Sequence, residues 1–213
     1  MAELLCTVDF ETRSTLNVAD VGAWRYAEDP STEILCLGYK FSDSLETYLW
    51  DPRTQPFPQA ILDHIENKGL FEAHNAQFER AIWGKILHER MGIPVPTRWQ
   101  DTLAFCAYRA LPLGLDAAGK ILNLSQQKDK RGKYLLQQLS KPRKLLKRER
   151  QGLEAIGCDP DEHPPVFRED EDLMQELFEY CKQDCDTEEE LRIEYYDLSS
   201  SLARKSLDDD RGI

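Results

Sequence analysis

Short, nearly continuous apolar runs open the chain, and helical spacing follows them. Residues 4–10 (LLCTVDF) and 34–41 (ILCLGYKF) are rich in aliphatic, aromatic and β-branched side chains and read as core strands, with 46–50 (ETYLW) a third. These three neighbours are expected to pair antiparallel. Pro58 opens a helical pattern through Ala60, Ile61 and Ile65 that ends near Gly69, and residues 70–74 (LFEAH) read as a shorter fourth strand. From Asn75 onward Phe78, Ile82, Trp83 and Ile86 return to helical spacing. Asp101 is placed to cap a helix through Leu103, Ala104, Ala107 and Leu111 that Pro112 closes, and residues 115–122 repeat the pattern. Tyr134, Leu135, Leu136 and Leu139 then give a basic stretch an apolar side, which predicts helix in pieces. Two glycines, Pro160 and His163-Pro164-Pro165 predict an exposed loop over residues 152–172. A long terminal helix starting near Asp170 would carry Leu173, Leu177, Tyr180, Asp184 and Leu191. A mixed sheet followed by helices gives an α/β fold with a helical C-terminal half.

At 213 residues the chain can bury one substantial core, so a single domain is expected. No apolar run approaches the roughly 20 residues of a membrane span, and Glu3, Asp9, Glu11, Asp20, Glu28 and Asp29 fill the first 30 positions with acid. The expectation is a soluble, unexported protein. The six cysteines form no CxxC pair and the four histidines are scattered, so reduced thiols are expected rather than a zinc site. Cys181 and Cys185, four apart, can share a helix face. Charge changes the picture more. The net −12 opposes simple nucleic-acid binding, yet between Lys128 and Arg150 ten basic residues face two acids, giving +8 locally and −20 elsewhere. That segment is either a solvated helical face or a surface for phosphates.

Three acidic elements are candidates for chemistry. Asp9 and Glu11, read as ending the first strand, lie two apart and share one of its faces, where they can hold a hard cation. Tyr180 and Asp184, four apart, share a helix face. In A-H-N-A-Q-F-E (73–79) a strand runs into a helix on which Asn75 and Glu79 are four apart. Each has an ordinary alternative: a turn for the first pair, core packing of Tyr180 with a solvated Asp184, a capping Asn75 with an exposed Glu79. Their order along the chain is what ordinary packing does not require.

That ordered set resembles the DEDD (DnaQ-like) exonuclease superfamily, in its tyrosine-containing branch, and in particular the proofreading domain of phage-type family A DNA polymerases. The phrases VDFETRS (8–14), AHNAQFE (73–79), QDTLA (100–104), LPLGLDAAGK (111–120), QKDKRGK (127–133), SKPRK (140–144) and EYCKQD (179–184) carry the resemblance, which covers roughly residues 4–196. Residues 197–213, ending LDDDRGI, resemble a junction toward a polymerase region. The resemblance implies a ribonuclease H-like fold and 3′→5′ hydrolysis of single-stranded or frayed DNA to nucleoside 5′-monophosphates, in the cytoplasm of a bacterial or phage-infected cell. It implies two divalent ions, Mg²⁺ or Mn²⁺, on Asp9, Glu11, Glu79 and Asp184, with Asp9 bridging, Glu11 and Asp184 beside the attacking water and Glu79 near the leaving group. Tyr180 would orient that water. One departure is Glu79, where the superfamily usually has Asp. Thr12 and Asn75 are candidate contacts to the terminal nucleotide, and Lys128, Lys130, Arg131 and Lys133 to the approaching backbone. Expected partners are a single-stranded DNA 3′ end and a DNA polymerase domain or subunit. An exoribonuclease of the same fold and a catalytically silent polymerase scaffold are the rivals.

Overall fold

The computed structural model describes the backbone of residues 3–124 and 130–209, and side chains of 3–124 and 131–196. A five-stranded mixed sheet forms the centre, in the order β3-β2-β1-β4-β5. The strands are β1 (Leu5–Arg13), β2 (Glu33–Phe41), β3 (Tyr48–Trp50), β4 (Leu70–Ala73) and β5 (Arg98–Asp101). β1 pairs antiparallel with β2, and β2 with β3, as their apolar runs predict; β4 and β5 add in parallel on the other side of β1. β5 was not visible in the sequence because its four residues, RWQD, offer one apolar side chain.

β1 alternates cleanly. Cys6, Val8 and Phe10 enter the larger core with Phe71, Ile82 and Trp83, while Thr7, Asp9 and Glu11 take the opposite face. β1 extends beyond Glu11 to Arg13, so the acidic pair lies inside the strand rather than at its end. Between Glu11 and Thr12 the pairing slips: Glu11 faces Cys36 but Thr12 faces Ile34.

The helices are α1 (Val18–Val21), α2 (Ala23–Glu28), α3 (Gln59–Glu66), α4 (Gln77–Ile82), α5 (Thr102–Tyr108), α6 (Leu115–Leu122), α7 (Lys130–Leu139), α8 (Lys147–Ala155) and α9 (Glu171–Asp209). α4 continues as a π-helical segment, Trp83–His88. α1 and α2 were not anticipated, because Gly22, at φ 79°, splits the run into two short turns. Asp101 caps α5 by accepting from the Leu103 N–H, and α5 stops at Tyr108 rather than Leu111 because Ala110 turns left-handed (φ 54°). α7 and α8 are the two pieces of the basic stretch. α9 buries Leu173, Met174, Leu177, Phe178, Cys181, Asp184, Cys185, Glu188 and Leu191, a stripe with helical period, against β1 and β2. α7 packs beside α9, and Leu135 and Leu139 join that second core. Cys158 is exposed and the other five cysteines are buried, all six as free thiols. Among the described residues no helix is long and apolar enough to cross a membrane.

Candidate active site

The strand face and the helix stripe meet where both are acidic. Asp9, Glu11 and Asp184 each offer a carboxylate oxygen, and the three oxygens lie within 4.8 Å of one another. Glu11 and Asp184 are buried, which disposes of the solvated Asp184.

The helix can come this close to the strands because Gly38, paired with Asp9 on β2, has no side chain. A Cβ at that position would stand 3.0 Å from Cys181 O, Cys181 Sγ and Cys185 Sγ. Gly38 N–H donates to Cys181 Sγ (3.2 Å), and the Cys181 thiol donates toward Asp9 O (3.3 Å) and Asp9 Oδ2 (3.4 Å). Burial pushes the Cys181 and Cys185 thiols well above their ordinary range.

Glu79 falls outside the group of three but is directed by the same surroundings. It is buried, not exposed, and its Oε2 has no hydrogen-bond partner. Burial first, then the charge of Asp9, pushes its carboxyl well above the carboxylate range. Asn75 is neither on α4 nor its cap. It sits exposed at φ 69°, before the helix, and its N–H and that of Ala76 donate to Asp101 (2.9 and 3.2 Å). Asp101 thus does double duty as the cap of α5 and the clasp of the β4–α4 turn, a role the sequence did not show because it couples residues 26 apart.

Tyr180 lies one turn before Asp184, and its ring packs on Gly132 of α7. A Cβ on Gly132 would overlap that ring, 2.0 Å from Cε2. Thr12 is buried, with its hydroxyl 3.0 Å from that of Tyr26. Beside it runs a groove of about 410 Å³ lined by Phe10, Glu11, Thr12, Phe78, Leu136, Lys133 and Lys141 among others. Glu11 therefore belongs both to the carboxylate group and to the groove wall. Arg131 is engaged with Glu176 (2.6 and 2.9 Å) and its guanidinium stacks on Tyr134. Lys128 and the side chain of Lys130 lie outside the described residues.

A second buried acidic pair sits behind this site. Glu72 of β4 accepts from Thr7 Oγ1 (3.1 Å), Gln100 and Arg192 Nε (3.1 Å), and Glu188 is held by Thr102 (3.0 Å). Burial outweighs these donors and pushes Glu72 up to about 7. Burial and the neighbouring Glu72 likewise raise Glu188. These two acids were not singled out in the sequence.

With this geometry in place, one comparison bears on it. Over 187 residues, 87% of its length, the chain is 30% identical to a DNA polymerase of Bacillus phage SP02. The chain is a relative of part of a phage DNA polymerase. The matched region spans 27% of that polymerase's length. No protein-family model matches the chain.

Proposed function

We propose that this chain is a metal-dependent 3′→5′ exonuclease of the tyrosine-containing DEDD type that shortens single-stranded or frayed DNA in the service of a DNA polymerase. The observation that carries the reading is the convergence of Asp9, Glu11 and Asp184 from a strand and a helix. The strand order, with β2 alone running against its neighbours, supports the ribonuclease H-like assignment. The phage polymerase relative supports DNA as substrate and a polymerase as partner.

The residues fit divalent cations. Three carboxylates held this close repel one another unless a cation lies among them, and the buried, unpartnered Glu79 Oε2 is an oxygen awaiting a positive ligand. Asp9, Glu11 and Asp184 would hold the metal, with Glu79 behind. Bound there, divalent ions supply charge compensation at the phosphoryl oxygens and acidify a water molecule. The rest is work for side chains. Phe10, Phe78 and Leu136 give the groove apolar walls against which a terminal base can rest, and Lys133 and Lys141 set positive charge on its rim for the backbone. Tyr180, a turn from Asp184, positions the attacking water. Arg131 reaches a phosphate only by exchanging Glu176 for it.

The test is gel-resolved digestion of a 5′-labelled single-stranded DNA oligonucleotide with Mg²⁺ or Mn²⁺, with EDTA, and with Asp9→Ala. A metal-dependent ladder shortening from the 3′ end, lost in Asp9→Ala, is expected. An intact DNA beside a shortened RNA would replace the reading with an exoribonuclease. Both intact would leave a silent scaffold.

A further inference from the structure

Three candidates stand outside the machinery described so far: the pocket at the start of β1 around Glu3 and His64, the Glu72–Glu188 pair, and the thiols beneath Asp9. The third carries an argument. We infer that Cys181 is a positioning residue for Asp9, its thiol fixing the orientation of the carboxylate that binds a divalent cation.

Cys181 Sγ has donor and acceptor partners on different sides. The N–H of Gly38 points into the sulfur at 3.2 Å, so the single S–H is directed elsewhere. The Cys36 thiol of β2 is one acceptor within its reach, a weak one, and Asp9 offers two oxygens, the backbone O at 3.3 Å and Oδ2 at 3.4 Å. An ionised carboxylate is the stronger acceptor of the two, so the proton belongs to Oδ2. An aspartate has one torsion that turns its carboxyl group, and a bond to Oδ2 stops that rotation. The remaining lone pairs are then aimed toward Glu11 and Asp184, whose oxygens lie within 4.8 Å. Carboxylate ligands are commonly steered in this way by groups that never touch the metal, and removing such a group costs about 10–100-fold in metal affinity. A thiol is a weak donor, which places Cys181 at the low end. Gly38 is part of the same device, because a Cβ there would press on the sulfur at 3.0 Å.

Cys185 is a matched control. It is buried one turn on and meets the same glycine, yet makes no hydrogen bond to Asp9 among the described residues. The inference rests on the metal reading above, and the experiment separates the two. Mn²⁺ is titrated calorimetrically into the whole chain without nucleic acid, for the parent, Cys181→Ala, Cys181→Ser and Cys185→Ala, with melting in EDTA as the measure of packing. Cys181→Ala is expected to weaken Mn²⁺ binding about tenfold. The serine, which restores a donor, should return it to within about threefold of the parent, and Cys185→Ala should bind as the parent does. Equal Mn²⁺ affinity in parent and Cys181→Ala overturns the inference, as does an equal loss in Cys185→Ala. Should Cys181→Ala fail to fold, the infrared S–H stretch of the parent decides: the band missing from Cys181→Ser must shift when Mn²⁺ is added, and an unmoved band overturns the assignment. A parent that takes up no Mn²⁺ overturns the metal reading and this inference together.

Discussion

Glu72 and Glu79 are seven residues apart, both buried and both displaced toward the protonated form, yet the fold treats them differently. Glu72 has been given partners: a threonine, a glutamine amide and the Arg192 guanidinium converge on it. Glu79 has an oxygen with none and a neighbour, Asp9, of its own sign. A buried acid supplied with a protein cation is a closed structural unit. One left facing other acids stays protonated unless a cation joins it, which is what the metal site proposed above would supply. Net burial would not have told them apart.

The widest separation between the two acidic regions is expected in activity. Asp184→Asn should lower oligonucleotide digestion about a thousandfold or more, without lowering the melting temperature in EDTA, whereas Glu188→Gln, one turn along α9, should leave the rate within a few-fold. Equal losses would dissolve the distinction. Next in size, Arg192→Ala strands Glu72 and should cost about 3 kcal/mol at pH 8 in urea unfolding, because one partner of a buried pair is removed. Mg²⁺ at about a hundred times its Kd should stabilise the parent by about 2.7 kcal/mol. Glu79→Gln should shrink that gain, and a melting scan at each Mg²⁺ concentration reads both.

A smaller effect concerns Tyr180. Gly132→Ala improves helix propensity in α7 but pushes on the Tyr180 ring. The rate should fall about tenfold, and the same change in a Tyr180→Ala background should cost nothing further; an undiminished second loss would place Gly132's role elsewhere. The smallest is the pH slope. The folded-state pKa of Glu72, about 7, lies above its ordinary 4.5. Its contribution to stability is therefore fully present below about pH 4.5 and is lost as pH rises to about 7, at a slope of about 1 kcal/mol per pH unit. The Arg192→Ala penalty should accordingly be smaller at pH 5 than at pH 8, where the stranded carboxylate must be charged. A penalty independent of pH would mean that Arg192 acts through packing alone.

The elements built on long apolar or periodic runs were legible in the sequence: β1, β2, α6 and α9 announce themselves, since an inward stripe must be apolar wherever it sits. β5 and the pair α1–α2 did not, being short pieces whose form depends on neighbours far along the chain. Within the site, Asp9 with Glu11 and Tyr180 with Asp184 could be paired in advance because spacing of two on a strand and four on a helix dictates a shared face, while the meeting of the two pairs was implied only by the resemblance. Asn75 could not be placed, since a left-handed residue before the helix breaks the four-residue spacing. Gly132 and Gly38 were silent for a different reason. What matters at each is a side chain that would arrive from another element, and a sequence shows no absence of contact.

The slipped pairing between Glu11 and Thr12 has a consequence for how this chain tolerates editing. Leu35 is the extra residue on β2, and because of it Leu35 and Cys36, adjacent in sequence, both enter the core beneath α7 and α9, while Ile34 and Leu37 enter the other. The strand thereby switches parity midway. Replacing Leu35 by a smaller residue would leave a void beneath α7 and α9, whereas deleting it would straighten the bulge with Ile34 still opposite Thr12 and Glu33 still opposite Arg13, its ion-pair partner at 2.7 Å. At this point of the chain the count of residues can fall by one without disturbing the register on either side, and what the extra residue contributes is its apolar side chain in the second core.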